Sequence, residues 1–221
     1  MSSRFSHQKV EAKVPDFIPP RNNRFVEWLG RVSLPFILWW NNYEGIRISQ
    51  TDVERLRSLS GSRTVICSNH SHRHDAIFLF SLSAILKEQF NYIAAREIFD
   101  WWPFDFHGWC IQHVGAYSIT RGAVDRQSMA MSRRVIVAGK RKLVVFPECE
   151  ISGGDDRLLP IEPALAGLFY KSLEEVQKIA PGEAVHILPV ALKYKYVEDI
   201  SGALSNSLTR IENALNIEKQ R

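Results

Sequence analysis

From Thr64 onward, the apolar positions of this chain gather into short β-branched runs separated by longer stretches of helical spacing. The runs predict strands at 64–68, 91–95, 142–146 and 185–194, with helices at about 74–89, 123–140 and 163–179 between them. Regular alternation of this kind predicts βαβ units and hence an α/β fold, a mostly parallel sheet flanked by helices. Leu204, Leu208, Ile211 and Leu215 recur at helical spacing and predict a last amphipathic helix over 204–217. Pro189 interrupts the apolar run Ile187–Ala191, which predicts an edge or bulged position for that strand.

Ahead of this alternation the pattern changes character. Residues 1–22 are polar, contain Pro15, Pro19 and Pro20, and predict an irregular or extended arm. Residues 25–40 are apolar and rich in tryptophan, broken by Pro35 and interrupted by Arg31. Two readings fit that segment equally. One is a helix lying in a bilayer interface, its indoles at headgroup level and Arg24 and Arg31 on anionic lipid; the other is a bent helix packed on the domain. The divisions expected are an arm with an amphipathic or interfacial helical segment at 1–48, an α/β domain at 49–200 and a C-terminal helix at 201–221. The amino terminus lacks a signal-peptide pattern, and no run reaches the roughly 18 apolar residues that a bilayer span requires. The expectation is a chain that is not integral to the membrane. Arg221 follows the last helical stretch without a cap or polar tail, which leaves room for a longer natural protein.

Composition adds little to the fold but something to the partners. An apolar content of 45% over 221 residues is enough for a substantial core. The net charge of +4 is modest but uneven. Arg121, Arg126, Arg133, Arg134, Lys140, Arg141 and Lys142 fall within one short span whose only acid is Asp125. Such an excess attracts phosphate groups, an anionic membrane or nucleic acid, and it is equally the composition of a solvated helix face. The three cysteines show no paired spacing, which suggests a reducing compartment and so the cytoplasmic side.

Candidate chemistry concentrates at residues 69–75, Asn-His-Ser-His-Arg-His-Asp, at the junction of the first strand and the first long helix. In open α/β sheets such junctions present reactive groups. With the helix starting near His74, Asp75 falls in its first turn, where the helix dipole favours a carboxylate. The loop can then bring that carboxylate onto one imidazole nitrogen of His70 and leave the other as a general base. Three further segments carry polar groups at the ends of strand-like runs: Gly115 to Gly122, including Arg121; Phe146-Pro147-Glu148-Cys149-Glu150; and Leu188-Pro189-Val190. An arginine can fork onto a phosphate or carboxylate, and a carboxylate at the carboxyl end of a parallel strand lies where such sheets bind ligands.

In this order the four segments resemble the motifs of the glycerolipid acyltransferases, the 1-acylglycerol-3-phosphate acyltransferases among them. In that family a His-x4-Asp motif precedes a Gly-to-Arg motif, a Phe-Pro-Glu-Gly-Thr-Arg motif and a late Pro-Val motif. The matching residues here are His70 and Asp75, Gly115 and Arg121, Phe146-Pro147-Glu148, and Leu188-Pro189-Val190, and the resemblance spans roughly residues 60–195. Arg96-Glu97-Ile98-Phe99 and Gly108-Trp109 also look like the segment that precedes the family's second motif. The resemblance implies a glycerol-3-phosphate acyltransferase-like fold on the cytoplasmic face of the membrane, bound peripherally. It implies transfer of a fatty acyl group from acyl-CoA or acyl carrier protein, as co-substrate, to the hydroxyl of a lysophospholipid-type acceptor. No cofactor, metal or nucleic acid is implied. By similarity His70 is the base and Asp75 its partner, while Gly115, Arg121, Phe146, Pro147 and Glu148 bind and orient the acceptor. Cys149-Glu150-Ile151 replaces the family's Gly-Thr-Arg, removing a glycine and a phosphate-binding arginine. Two expectations follow: Arg157, or a member of the 121–142 basic stretch, substitutes for that charge, or the acceptor is not lysophosphatidate. The aromatic series Phe99, Trp101, Trp102, Phe104, Phe106 and Trp109 suits an acyl groove or a membrane contact, and equally ordinary packing around Pro103.

Three rival readings remain open at this level. His70, His72 and His74 form a cluster of the kind that binds zinc or iron in metallohydrolases. Cys149 is a candidate nucleophile for a thioesterase or a ping-pong acyltransferase. A non-catalytic lipid-binding relative would also tolerate the altered third motif.

Overall fold

The computed structural model describes residues 16–100, 106–122 and 125–215. Five strands, β1 (Arg63–Ser68), β2 (Phe90–Ala95), β3 (Ala116–Ile119), β4 (Lys142–Val145) and β5 (Val185–Val190), form one sheet in the order β3-β2-β4-β1-β5. Every pairing is parallel. Helices α1 (Arg24–Trp40), α2 (Gln50–Ser58), α3 (Asp75–Leu86), α4 (Phe106–His113), α5 (Arg126–Ala138), α6 (Ala164–Ile179) and α7 (Ser201–Ala214) accompany it. The α/β fold expected from the alternation is the fold observed.

The central strands β1 and β4 are uninterrupted apolar runs because both faces of the sheet are covered. Ile66 and Val144 point into a cluster with Leu79 and Leu82 of α3, while Val65, Leu143 and Val145 point the other way, onto Val135 and Ile136 of α5 and Leu165 and Leu168 of α6. The chain therefore leaves neighbouring strands β1 and β4 toward opposite faces. Between the carboxyl ends of two such strands a crevice opens, the usual ligand position in this class of sheet. Pro189 lies in β5, which among the described residues pairs with β1 alone and forms an edge, as the proline predicts.

Some elements depart from the sequence expectation. The helix expected to reach 89 stops at Leu86, because Lys87 turns to a left-handed φ of 57°. The strand expected to reach 194 stops at Val190. Beyond it Leu192 leaves the ladder and exchanges two hydrogen bonds with the side chain of Asn69, at 2.7 and 2.9 Å. Asn69 thereby stands in for a backbone rung and ties the end of β5 to the loop after β1.

Helix α1 runs unbroken through Pro35, so the break expected there does not occur. Asn23 caps it by accepting from the N–H groups of Phe25 and Val26. Its inner side carries charge. Glu27 is buried, ion-paired to Arg141 at 2.6 Å and hydrogen-bonded by Gln89 at 2.7 Å, and Arg31 donates to the carbonyl of Glu88. Its outer side is apolar: Phe25, Trp28, Leu29, Val32, Phe36, Trp39 and Trp40 recur at helical spacing and are all exposed, Trp40 by 70%.

The basic stretch is not one patch. Arg141 is spent on Glu27, Lys142 is buried on Glu88 at 3.0 Å and on the carbonyl of Leu59, and Arg133 pairs with Glu175 of α6. Arg141 and Lys142 sit at the amino end of the sheet, away from the crevice, so neither supplies charge there. Of the aromatic series, Phe99 is buried in the core, Phe106 and Trp109 are exposed, and 101–105 lie outside the described residues.

Candidate active site

The loop from β1 to α3 carries the central pair. Asp75 is the first residue of α3 and is fully buried. Its Oδ2 lies 2.9 Å from Nδ1 of His70 and also accepts the backbone N–H of His72 at 2.9 Å. Its Oδ1 accepts the hydroxyl of Tyr194. Three donors and the start of a helix therefore offset the cost of burying a carboxylate. With Nδ1 held by Asp75, Nε2 is the basic position of His70, and among the described residues no hydrogen bond occupies it. The imidazole lies flat on Phe146, ring centroids 4.1 Å apart and planes at 20°.

Glu148 fixes the loop from below. One carboxylate oxygen accepts the backbone N–H of His70 at 2.7 Å, and the other accepts the N–H of Leu159 at 2.8 Å. Ser152 returns the favour by donating its N–H to the carbonyl of His70 at 2.8 Å. The sequence motif assigns Glu148 to the acceptor; in the structure both of its oxygens are engaged by backbone. Phe146 and Pro147 lead into this turn, and Pro147 accepts from the N–H of Glu162. At Cys149 the turn adopts φ = 57°, the left-handed region in which glycine has the advantage. This is the position where the resembled motif has glycine. Burial, with Glu150 and Glu162 nearby, pushes the Cys149 thiol up, while Arg121 opposes that shift. A thiol so shifted is a weak nucleophile at neutral pH.

The remaining candidates fall in different places. Arg121 is at the carboxyl side of β3, exposed, and 3.4 Å from the equally exposed Glu97. Arg157 is exposed on the loop between β4 and α6, where its neighbours Asp155 and Asp156 are engaged with Tyr194 N–H and Lys193. Gly115 sits at the opposite, amino end of β3: its φ is 106°, and a Cβ there would meet the carbonyl of Phe90 at 2.7 Å. The structure brings together His70, Asp75, Phe146, Pro147 and Glu148, and leaves Gly115 apart.

His72 and His74 belong to a second cluster beside the first. The hydroxyl of Tyr43 lies 3.2 Å from Nδ1 of His72 and 3.0 Å from Nδ1 of His74. It can donate to one and accept from an N–H of the other. Burial lowers the pKa of His74, with His72 and Arg73 adding to the effect. Burial, and secondarily Asp75, raises that of Tyr43. His70 thus faces Asp75 while His72 and His74 share Tyr43, and among the described residues no three His, Cys, Asp or Glu side chains converge to hold a metal ion.

Tyr43, Asn69 and Tyr194 were not singled out by the sequence. Tyr194 lies 119 positions from the aspartate it touches, so no local spacing betrays it. The one available signal was the tyrosine shortly after the late Pro-Val pair.

No curated protein and no solved structure shows a significant match to this chain. A match to the family model described as Acyltransferase runs over residues 47–193, more than half of the chain, and takes in both sides of the crevice; the protein belongs to the acyltransferase family.

Proposed function

We propose that this acyltransferase moves a fatty acyl group from the thioester of acyl-CoA or acyl carrier protein to the hydroxyl of a lysophospholipid-type acceptor at a membrane surface. The observation that carries the reading is His70 itself. One nitrogen is held by a buried aspartate and the other is unengaged, at the carboxyl ends of two adjacent parallel strands. Nε2 of His70 takes the proton of the acceptor hydroxyl as its oxygen attacks the thioester carbonyl carbon, and Asp75 stabilises the imidazolium. Collapse of the tetrahedral intermediate breaks the carbon–sulfur bond, and the departing thiolate recovers the proton from His70. No covalent acyl-enzyme enters this sequence. Arg121, exposed and, among the described residues, tied to Glu97 by one long contact, is the cation best placed to turn toward an anionic headgroup.

The outer stripe of α1 supports the membrane part of the reading. Among the described residues no helix is long and apolar enough to cross a bilayer. Yet seven large apolar side chains on one helix face solvent, a contiguous stripe of the kind that marks a membrane or protein contact. The helix ends at Trp40, three residues before Tyr43, which touches His72 and His74. A surface-bound α1 thus keeps the catalytic loop near the acceptor's own phase.

The test is a transfer assay with labelled acyl-CoA and labelled acyl carrier protein against lysolipids presented in anionic vesicles. Transfer is expected, reduced at least about a hundredfold in His70→Ala and weakened in the double variant Trp39→Glu/Trp40→Glu with lipid-presented acceptor. Undiminished transfer by His70→Ala overturns the mechanism.

A further inference from the structure

The charge of Asp75 is shared among donors from two distant parts of the chain. His70 and His72 both use Oδ2. Oδ1, which would otherwise be an unpaired buried carboxylate oxygen, is used by Tyr194 from beyond the end of β5. The segment that delivers this hydroxyl is pinned at three consecutive residues. Leu192 is bonded to Asn69, Lys193 lies 2.7 Å from Asp156, and the backbone N–H of Tyr194 donates to Asp155 Oδ2 at 2.7 Å. The ring is wedged against His72 at 5.5 Å, Phe78 at 5.5 Å and Tyr43 at 6.1 Å. Packing alone does not require a hydroxyl at the end of so constrained a ring.

We propose that Tyr194 is a positioning residue for the His70–Asp75 pair. Its hydroxyl locks the rotation of the Asp75 carboxylate so that Oδ2 faces His70, and by taking part of the carboxylate's charge it keeps the imidazole from becoming too basic. This rests on the acyl-transfer reading for its catalytic consequence, but not for its effect on the titration of His70. Burial, and then the Asp75 bond, push the Tyr194 phenol far up, so the hydroxyl remains a protonated donor across the working range. The other titratable groups around the pair are His72, Arg73 and His74 on the same loop, Tyr43 ahead of α2, and Asp155 and Glu148 after β4. Tyr194→Phe leaves each of these side chains chemically unchanged, while Tyr43 and Asp155 also face the phenol that it removes.

The experiment compares Tyr194→Phe with the unaltered enzyme and with Tyr43→Phe, which changes a ring in the same cluster that makes no bond to Asp75. Histidine titration by NMR in the absence of substrate should show the pKa of His70 raised by about half a unit or more in Tyr194→Phe and unmoved in Tyr43→Phe, because a carboxylate with one donor fewer holds the imidazolium more strongly. In the transfer assay kcat should fall roughly tenfold with KM unchanged, and its acid limb should move to higher pH. Adding Tyr194→Phe to Asp75→Asn should cost little beyond Asp75→Asn alone, since both act through one group. An unmoved His70 titration in a folded Tyr194→Phe, or fully additive losses in the double variant, overturns the proposal. Transfer that survives His70→Ala would instead overturn the acyl-transfer mechanism and leave the titration result standing.

Discussion

Both ends of the sheet collect buried charge, and they use it differently. At the amino end Glu27 meets Arg141, Glu88 meets Lys142, and Gln89 and the Leu59 carbonyl complete the set. Cation faces anion, and the product is a clamp that holds α1 on the sheet. At the carboxyl end Asp75 and Glu148 are as deeply buried, but their partners are backbone N–H groups, a phenol and an imidazole. Backbone N–H groups, a phenol and an imidazole hold those carboxylates with no lysine or arginine paired to them among the described residues, and it is their charge that the proposed mechanism draws on. The number of buried charges therefore says little about where chemistry occurs. What distinguishes the second end is that its charge is uncompensated and that one ring nitrogen is left over.

The contrast can be broken by substitution. The largest stability effect is expected from Arg141→Met, which strands Glu27 and should cost about 3–5 kcal/mol in denaturant unfolding, with kcat per folded molecule unchanged. The double variant Glu27→Leu/Arg141→Met should recover most of that loss, since an apolar pair replaces a buried ion pair. A fall in kcat from either would show the two ends to be coupled. Glu148→Gln should cost about 1.5–3 kcal/mol, because an amide NH2 must face a backbone N–H, and here kcat should fall too as the His70 loop loses its support. Unchanged kcat would assign Glu148 to the fold alone. The smallest effect is expected at Cys149. Replacing it with glycine should stabilise by about 0.5 kcal/mol, the relief of a left-handed conformation less the entropy of glycine. In the unaltered protein, alkylation of Cys149 should be slow at neutral pH, accelerate as the pH climbs toward the raised thiol pKa and level off above it. Rapid alkylation at neutral pH would restore it as a nucleophile.

How much of this was legible in the sequence follows from the range of the forces involved. β1 and β4 could be read because burial on both faces leaves an uninterrupted apolar run. Helix α2 could not, since Leu56 is its one buried residue and its surface is polar nearly all round. Strand β3 has four residues and hides behind Gly115. The His70–Asp75 geometry was readable because five positions and a helix start determine it. Tyr194, Asn69 and the backbone partners of Glu148 were not, because they depend on which strand lies beside which, and local spacing does not carry strand order. Gly115 shows the converse: the motif marks it, while the structure gives it a tight approach to the Phe90 carbonyl at the far end of the sheet.

The two borders of the sheet have a consequence for association between molecules. β3 is only four residues long and its Ser118 N–H is already taken by the carbonyl of Ile18, and β5 carries a proline, which a strand accepts where its missing N–H faces away from the neighbour, here toward the open border. Neither border is a good template for another chain's strand. At high concentration the sheet is thus expected not to recruit copies of itself into extended sheets, and contacts between copies fall to the helices.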